Sequence, residues 1–240
     1  MKKIDFSLIL PCYNEEEHIL KSVKTIIDTI KHLPYSSEII FIDDKSKDKT
    51  RTLLKKIKTL YKLPIGIIFH NENMGRGATV AEGIKKAKGK VAGFIDIDCE
   101  ISPIYIPLFI SSIYEGFDVV SAHRVYEFNL FSFHRWLASK IYSYLIKKIF
   151  KFKLNDTEAG YKFFNREKII PVLKKVKDNH WFWDTEVMIK ATLAGLKIKE
   201  IPCVFIRRKD KTSTVKIIPD TFKYFKNIIR LRKELVNESL

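Results

Sequence analysis

VAGFIDIDCE, residues Val91–Glu100, is the stretch that decides how the rest of the chain is read. Val91, Ala92, Phe94 and Ile95 make an apolar run of strand length, and Asp96, Asp98 and Glu100 follow at every second position. Alternate residues of an extended chain project to one side, so the three carboxylates can converge at the strand end. Unpaired acids held together raise one another's pKa, and a hard divalent cation with its preference for oxygen ligands removes that repulsion. The competing reading is a solvated acidic turn ahead of Pro103. Position at the end of a buried strand favours the metal.

Upstream, the same pattern repeats. FSLIL is an apolar run stopped by Pro11, EIIFID ends at Asp43 with Asp44 behind it, and IGIIFH is a third run. Between them lie an amphipathic helix expected over Glu16–His32 and a second within SKDKTRTLLKKIKTLY, Ser46–Tyr61. Strand and helix alternate, which predicts an α/β fold with a mostly parallel sheet covered on both faces. Downstream, helices are expected in YIPLFISSIY, HRWLASKIYSYLIKKIFKF and WDTEVMIKATLAG, with a C-terminal helix over Pro219–Leu235. DVVSAHR and KIKEIPCVFIRR read as strands, and AGYKFF reads as a strand near the sheet edge.

In an open parallel sheet, ligands bind beyond the carboxyl ends of the strands. Pro11, Tyr13, Asn14, Glu15, Asp43 and Asp44 gather there with the acids of the fourth strand. NMGRGATVAEG, Asn73–Gly83, sets Gly75 and Gly77 around Arg76 before a helix. Such a loop lets backbone N–H groups approach a phosphate, or is a plain loop and helix start. It matches neither G-x-G-x-x-G nor the P-loop, which disfavours a dinucleotide dehydrogenase or an NTPase.

Composition narrows the class. The chain has 240 residues, 46% hydrophobic, enough for a real core, and a formal net charge of +16. Such a surface suits phosphates, nucleic acid or anionic lipid. Cys12, Cys99 and Cys203 are odd in number and far apart, against a disulfide framework or zinc site. His70, His123, His134 and His180 show no metal-ligand spacing. No apolar run reaches the roughly 18 residues of a membrane span, and the N-terminal run is too short for a signal peptide. A cytoplasmic protein, peripheral at the cytoplasmic face of a membrane, is the expectation.

LPCYNEE, IDDKSKDKT, NMGRGATVAEG and DID stand in the order and spacing of the family 2 glycosyltransferases, and the chain resembles that family. The resemblance implies the GT-A fold and a nucleotide-diphosphate-sugar site. Pro11, Tyr13, Glu15 and Asp43 would surround base and ribose, and Asp44, Arg76 and Gly77 would lie near the donor. Asp96 and Asp98 would hold Mg²⁺ or Mn²⁺ on the diphosphate. Glu100 stands where the closest subgroup has Gln or a similar oxygen ligand. SAHR, HRWLASKIYSYL, DTEAGYKFF, FWDTEVMIKATLAGLKIKEIPCVF and RRKDKTSTVK resemble the dolichyl-phosphate mannose and glucose synthases. By position, Arg124, Arg135 and Ser139 would grip a polyprenyl (dolichyl) phosphate, and Arg207 would help at the diphosphate. In the last stretch the family's glycine is missing, and Thr214 replaces its lysine.

The implied organisation is a catalytic domain over 1–215, its nucleotide-sugar half 1–100 and its acceptor half 101–215, with a basic amphipathic helix over 216–240. Arg135–Lys153 carries six basic residues and no acid, interleaved with Trp136, Ile141, Tyr144 and Ile149. Arg207–Lys233 carries ten against two acids. Basic amphipathic helices lie in anionic membrane surfaces, or turn an apolar stripe to the core and solvate their lysines. An anionic membrane surface or a small membrane-anchoring subunit is the expected partner. Nucleic acid would use similar charge, but no recognition motif accompanies it. A saccharide-hydroxyl acceptor would instead need a base, for which Asp184 and Glu186 of WFWDTE are candidates, or they serve as helix N-cap and first-turn acid. A non-enzymatic basic membrane- or nucleic-acid-binding module is the remaining alternative.

Overall fold

Most of the apolar runs read as strands are buried on both faces, while IGIIF and IKEIPCVF are only partly buried. They pair into one seven-stranded sheet, as the computed structural model of the chain shows. It describes residues 3–126, 133–151, 153–208 and 217–238, and within these not the side chains of 133–139, 217–222 and 238. Strands β1 (Phe6–Cys12), β2 (Ser37–Asp43), β3 (Ile65–Phe69) and β4 (Val91–Ile95) run parallel. They alternate with helices α1 (Ile19–Ile30), α2 (Thr50–Leu60) and α3 (Arg76–Lys86). A short 3₁₀ turn, Pro103–Tyr105, leads into α4 (Ile106–Tyr114). Then follow β5 (Val119–Tyr126), α5 (Phe133–Phe150), β6 (Tyr161–Asn165), α6 (Arg166–Leu173), α7 (Trp183–Leu193), β7 (Ile198–Phe205) and α8 (Ile217–Glu238).

The order across the sheet is β3-β2-β1-β4-β6-β5-β7. AGYKFF is therefore not near an edge. β6 runs antiparallel between β4 and β5, and Tyr161, Lys162, Phe163 and Phe164 are all buried. Two neighbours and two covered faces explain why the strand lacks alternation, and that same lack hid its place. α1 starts three residues later than the periodicity predicts. The Glu15 N–H donates to Thr50 Oγ1 at 2.8 Å and the Glu16 N–H to Asp48 at 3.0 Å, which holds this segment as a loop. Pairing Ile95 with Tyr161 sets the start of β6 against the carboxyl end of β4.

One core lies between the sheet and α1, α2 and α4. The other lies under α3, α6 and α7 and takes in Ile146 of α5 and Ile228 and Leu231 of α8. Among the described residues no helix is long and apolar enough to cross a membrane. α8 is fastened to α7 by charge as well as by packing. The fully buried Glu186 carboxylate accepts from the backbone N–H of Lys177 and Asp178, both at 3.0 Å, and from Arg230 Nη2 at 2.6 Å. Lys190 pairs with Glu186 at 3.3 Å and with Glu234 at 2.7 Å. Removing one member of a buried pair leaves the others uncompensated, so Glu186→Ala is expected to destabilise by about 3–5 kcal/mol, read as a lower urea midpoint.

Candidate active site

The carboxyl ends of β1, β2 and β4 and the N-terminus of α3 meet at one edge of the sheet. β1 runs through Pro11 to Cys12, one residue past the expected stop, Tyr13 is exposed beyond it, and Asn14 turns the chain with φ 55°. Asp43 is fully buried at the end of β2. Its Oδ2 accepts from Arg51 Nε at 2.5 Å and from the Ser46 N–H at 3.2 Å, while Oδ1 has no hydrogen-bond partner among the described residues. A buried carboxylate oxygen left over in this way is a ready acceptor for a ligand N–H or O–H.

Asp44 is engaged differently. Its carboxylate accepts from the N–H groups of Met74 at 2.7 Å and Gly75 at 2.9 Å, and bonds His70 Nδ1 at 2.8 Å. It therefore shapes the glycine loop. Gly75 is left-handed, φ 92°, and a Cβ there would strike Asn179 and His180; one on Gly77 would strike Trp183. These glycines let α3 enter close beside the segment before α7, so Gly77 acts through packing.

This approach delivers Arg76 to the acids. Its Nε and Nη2 donate to Asp96 Oδ1 at 2.9 and 2.7 Å, and its Nη1 donates to Asp184 Oδ2 at 2.5 Å. The guanidinium also lies over the rings of Phe94 and Trp181. Burial opposes its charge, but Asp184 and Asp96 outweigh burial and hold its pKa above the ordinary value. Asp96 is fixed from the other side by β6. Its N–H donates to the Gly160 carbonyl at 2.9 Å, and a Cβ on Gly160 would overlap the Asp96 carboxylate.

Burial raises the pKa of Asp96, and Asp98 and Asp184 raise it further against the pull of Arg76. Burial and then Asp98 also raise Glu100. Asp98 Oδ1 accepts from the Glu100 N–H at 3.3 Å, and Glu100 Oε1 from the Arg208 N–H at 3.1 Å. Among the described residues no three acids, histidines or cysteines form a ready metal cage. β4 ends at Ile95 and the chain then turns, with the Cys99 N–H donating to the Asp96 carbonyl at 3.1 Å, so the three carboxylates do not alternate along a strand as expected. A Mg²⁺ or Mn²⁺ here would be held by one or two of them and completed by phosphate oxygens and water.

Arg124, two residues before the end of β5, makes a two-pronged pair with Asp156, Nε at 2.7 Å and Nη2 at 2.9 Å, with Glu158 at 3.7 Å. Its charge is already partnered. Arg207 is exposed, whereas its neighbour Arg208 reaches back to the Asp98 carbonyl at 3.4 Å and His18 at 3.0 Å. The side chains of Arg135 and Ser139 lie outside the described residues. Asp184 is not the N-cap of α7, a place held by Phe182; it is 2% exposed, paired with Arg76 and with Lys162 Nζ at 2.7 Å. Glu186 does sit in the first turn but faces α8.

Sequence reasoning assigned no role to Asp156, Glu158, Gly160 or Lys162. All four lie in DTEAGYKFF, where a lysine within an apolar strand was the available signal.

A model of glycosyl transferase family 2 matches residues 7–173. The chain belongs to this family. Glycosyltransferase AglD of Haloferax volcanii is 26% identical over 204 residues, 83% of this chain and 32% of that protein. The undecaprenyl-phosphate 4-deoxy-4-formamido-L-arabinose transferase of Proteus mirabilis is 27% identical over 168 residues, 70% of this chain and 51% of that one. The chain thus spans about a third to a half of the length of these relatives. Glucosyl-3-phosphoglycerate synthase from Mycobacterium tuberculosis, solved with Mn²⁺, UDP-glucose and phosphoglyceric acid, superposes with a TM-score of 0.70 at 15% identity. The match covers 95% of this chain and 79% of that one, and it confirms the GT-A fold.

Two predictions follow from the acids. Gly160→Ala is expected to displace Asp96 and to reduce nucleotide-sugar turnover by about a hundredfold, with little change in far-UV circular dichroism. Burial raises Glu158 to about 7, with Asp156 and Asp184 adding to it against Arg124. A carboxyl with a raised folded-state pKa favours folding below its unfolded value, near 4.5, and loses that contribution as pH rises through about 7. Glu158→Gln is therefore expected to raise the melting temperature by a few degrees (about 2–4 °C) at pH 8 and less at pH 5, read by calorimetry at both.

Proposed function

We propose that this protein transfers a hexose, mannose or glucose, from a nucleotide-diphosphate sugar to a polyprenyl (dolichyl-type) phosphate, with inversion at the anomeric carbon. The observation that carries the reading is Asp96, held at the carboxyl end of β4 by the two-pronged Arg76, with Asp98 and Glu100 in the following turn. Family membership supports sugar transfer. Relatives named for undecaprenyl phosphate support a lipid-phosphate acceptor.

Base and ribose would lie along Pro11, Tyr13 and Glu15, with the leftover Asp43 Oδ1 accepting from the nucleoside. Asp98 and Glu100, with Asp96, would hold Mg²⁺ or Mn²⁺, which when bound offsets the charge of the nucleotide diphosphate. Arg76 sits beside the same place, and Arg207, exposed and close enough for its charge to act on Glu100, would help at the diphosphate. Arg124, Arg135 and Ser139 would receive the acceptor phosphate, Arg124 exchanging one oxygen of Asp156 for one of phosphate.

A phosphate monoester has a second pKa of about 6, so at neutral pH it is largely a dianion and attacks without a base. The engagement of both alternative bases agrees with this. Asp184 is tied to Lys162 and Arg76, and Glu186 is tied to α8, so neither is placed to take a hydroxyl proton. The stretch DTEAGYKFF is nearer the glucose-type pattern, with GDP-mannose and UDP-glucose both retained as donors. Docking at the cytoplasmic face of a membrane, directly or through a small anchoring subunit, is supported by Ile141 and Tyr144 of α5 and Phe225 and Ile229 of α8. All four are exposed, with Lys140, Lys223 and Lys226 among them.

The test is sugar transfer in detergent with Mn²⁺ and a short polyprenyl phosphate, offered labelled GDP-mannose, UDP-glucose and UDP-GlcNAc in parallel. One donor is expected to yield labelled lipid, with Asp98→Ala and Arg135→Ala each lowering the rate by about a hundredfold or more. Hydrolysis or transfer to added sugars without any lipid product would sink the lipid acceptor.

A further inference from the structure

A lysine stands near the start of an interior strand. Lys162 of β6 is fully buried between Tyr161 and Phe163, with β4 on one side and β5 on the other. Burial pushes its ammonium below the ordinary pKa, and Asp184 opposes that. Its Nζ donates to the Ala159 carbonyl and to Asp184 Oδ1 at 2.7 Å, and it lies over the Phe94 ring. Apolar side chains often fill such a place at no loss of stability, so the fold alone gives no reason for a charge here.

The partners supply one. From Lys162 the charges alternate toward the cleft: Asp184, then Arg76, then Asp96. Lys162 holds one oxygen of Asp184, the other oxygen takes Arg76 Nη1, and the remaining edge of the guanidinium takes Asp96. With both edges anchored, the plane of Arg76 has one orientation. The segment entering β6 contributes as well, since Gly160, two residues before Lys162, leaves the room Asp96 occupies. Lys190 on α7 is an internal contrast. It too is a buried lysine, but its partners are Glu186, Glu234 and the Lys175 carbonyl, away from Arg76.

We propose that Lys162 and Asp184 are positioning residues that act through Arg76, fixing the Asp96 carboxylate and presenting the guanidinium to the diphosphate of the donor. The inference rests on the donor half of the function above and is independent of the acceptor. In the relay Lys162 sets Asp184, Asp184 sets Arg76, and only Arg76 and Asp96 face the ligand.

The experiment titrates UDP and GDP, each with Mn²⁺, by calorimetry into the wild type, Lys162→Met, Asp184→Asn, the double variant and Lys190→Met. Melting temperatures are taken alongside. The nucleotide that the wild type binds is expected to bind about tenfold more weakly to either single relay variant. The double variant should lose no more than the weaker single, because one chain of contacts has been cut twice. Lys190→Met should melt lower and keep its affinity within about twofold. Wild-type affinity in a folded Lys162→Met would overturn the relay, as would a loss that Lys190→Met shares in proportion to its melting temperature. If Lys162→Met does not fold, wild-type affinity in Asp184→Asn overturns it. Wild-type protein that binds neither nucleotide overturns the relay together with the donor site. The expected pattern without transfer to polyprenyl phosphate sinks the lipid acceptor and leaves the relay standing.

Discussion

The ion pair between Arg76 and Asp96 joins three parts of the chain that would otherwise be separate: the N-terminus of α3, the end of β4 and the start of β6. A cation in the first turn of a helix opposes the macrodipole, and an acid beside Asp98 meets a like charge. Each is unfavourable alone, and together they offset one another. Asp44 supplies what the helix start lacks, a carboxylate on the N–H groups of Met74 and Gly75. The positive φ of Gly75 is what lets the chain make that turn. This end of the sheet is therefore assembled by charge, and the glycines give the charges room.

Burial accounts for the same arrangement one step farther in. A guanidinium beneath two aromatic rings has little water to rely on, so its partners must be protein carboxylates. Asp184 answers that need and in turn requires a second cation, which Lys162 provides from the centre of the sheet. The set ends there because the Lys162 ammonium completes its bonding on a backbone carbonyl. A metal at Asp98 and Glu100 would add positive charge where acids raise one another's pKa.

α7 carries the two acids that tie the molecule together. Asp184 and Glu186 are two positions apart on a helix, so they point about 200° from one another. One reaches the cleft and the other reaches Arg230 of α8. The exposed face of α8 with Phe225 and Ile229, and the site at Asp96, are thus mounted on opposite sides of one buried helix turn. A protein that takes a lipid phosphate would need such a fixed relation between the surface that meets the lipid and the residues that meet the sugar.

The sequence by itself determined the alternation of strands and helices, the acids at the ends of β2 and β4, and the family. Each is a local matter of period, of spacing or of a short motif, and local pattern survives without knowledge of partners. The ends of helices were less legible, because the side chains that delay the start of α1 come from Thr50 at the start of α2 and Asp48 just before it. Tertiary structure alone decided that β6 is central, for its neighbours β4 and β5 are chosen by pairing with distant segments. It alone paired Arg124 with Asp156 and turned Asp184 from a helix cap into the partner of Arg76, 108 residues away. A buried charge has no period to read. Its meaning lies in the opposite charge beside it, and only the folded chain brings the two together.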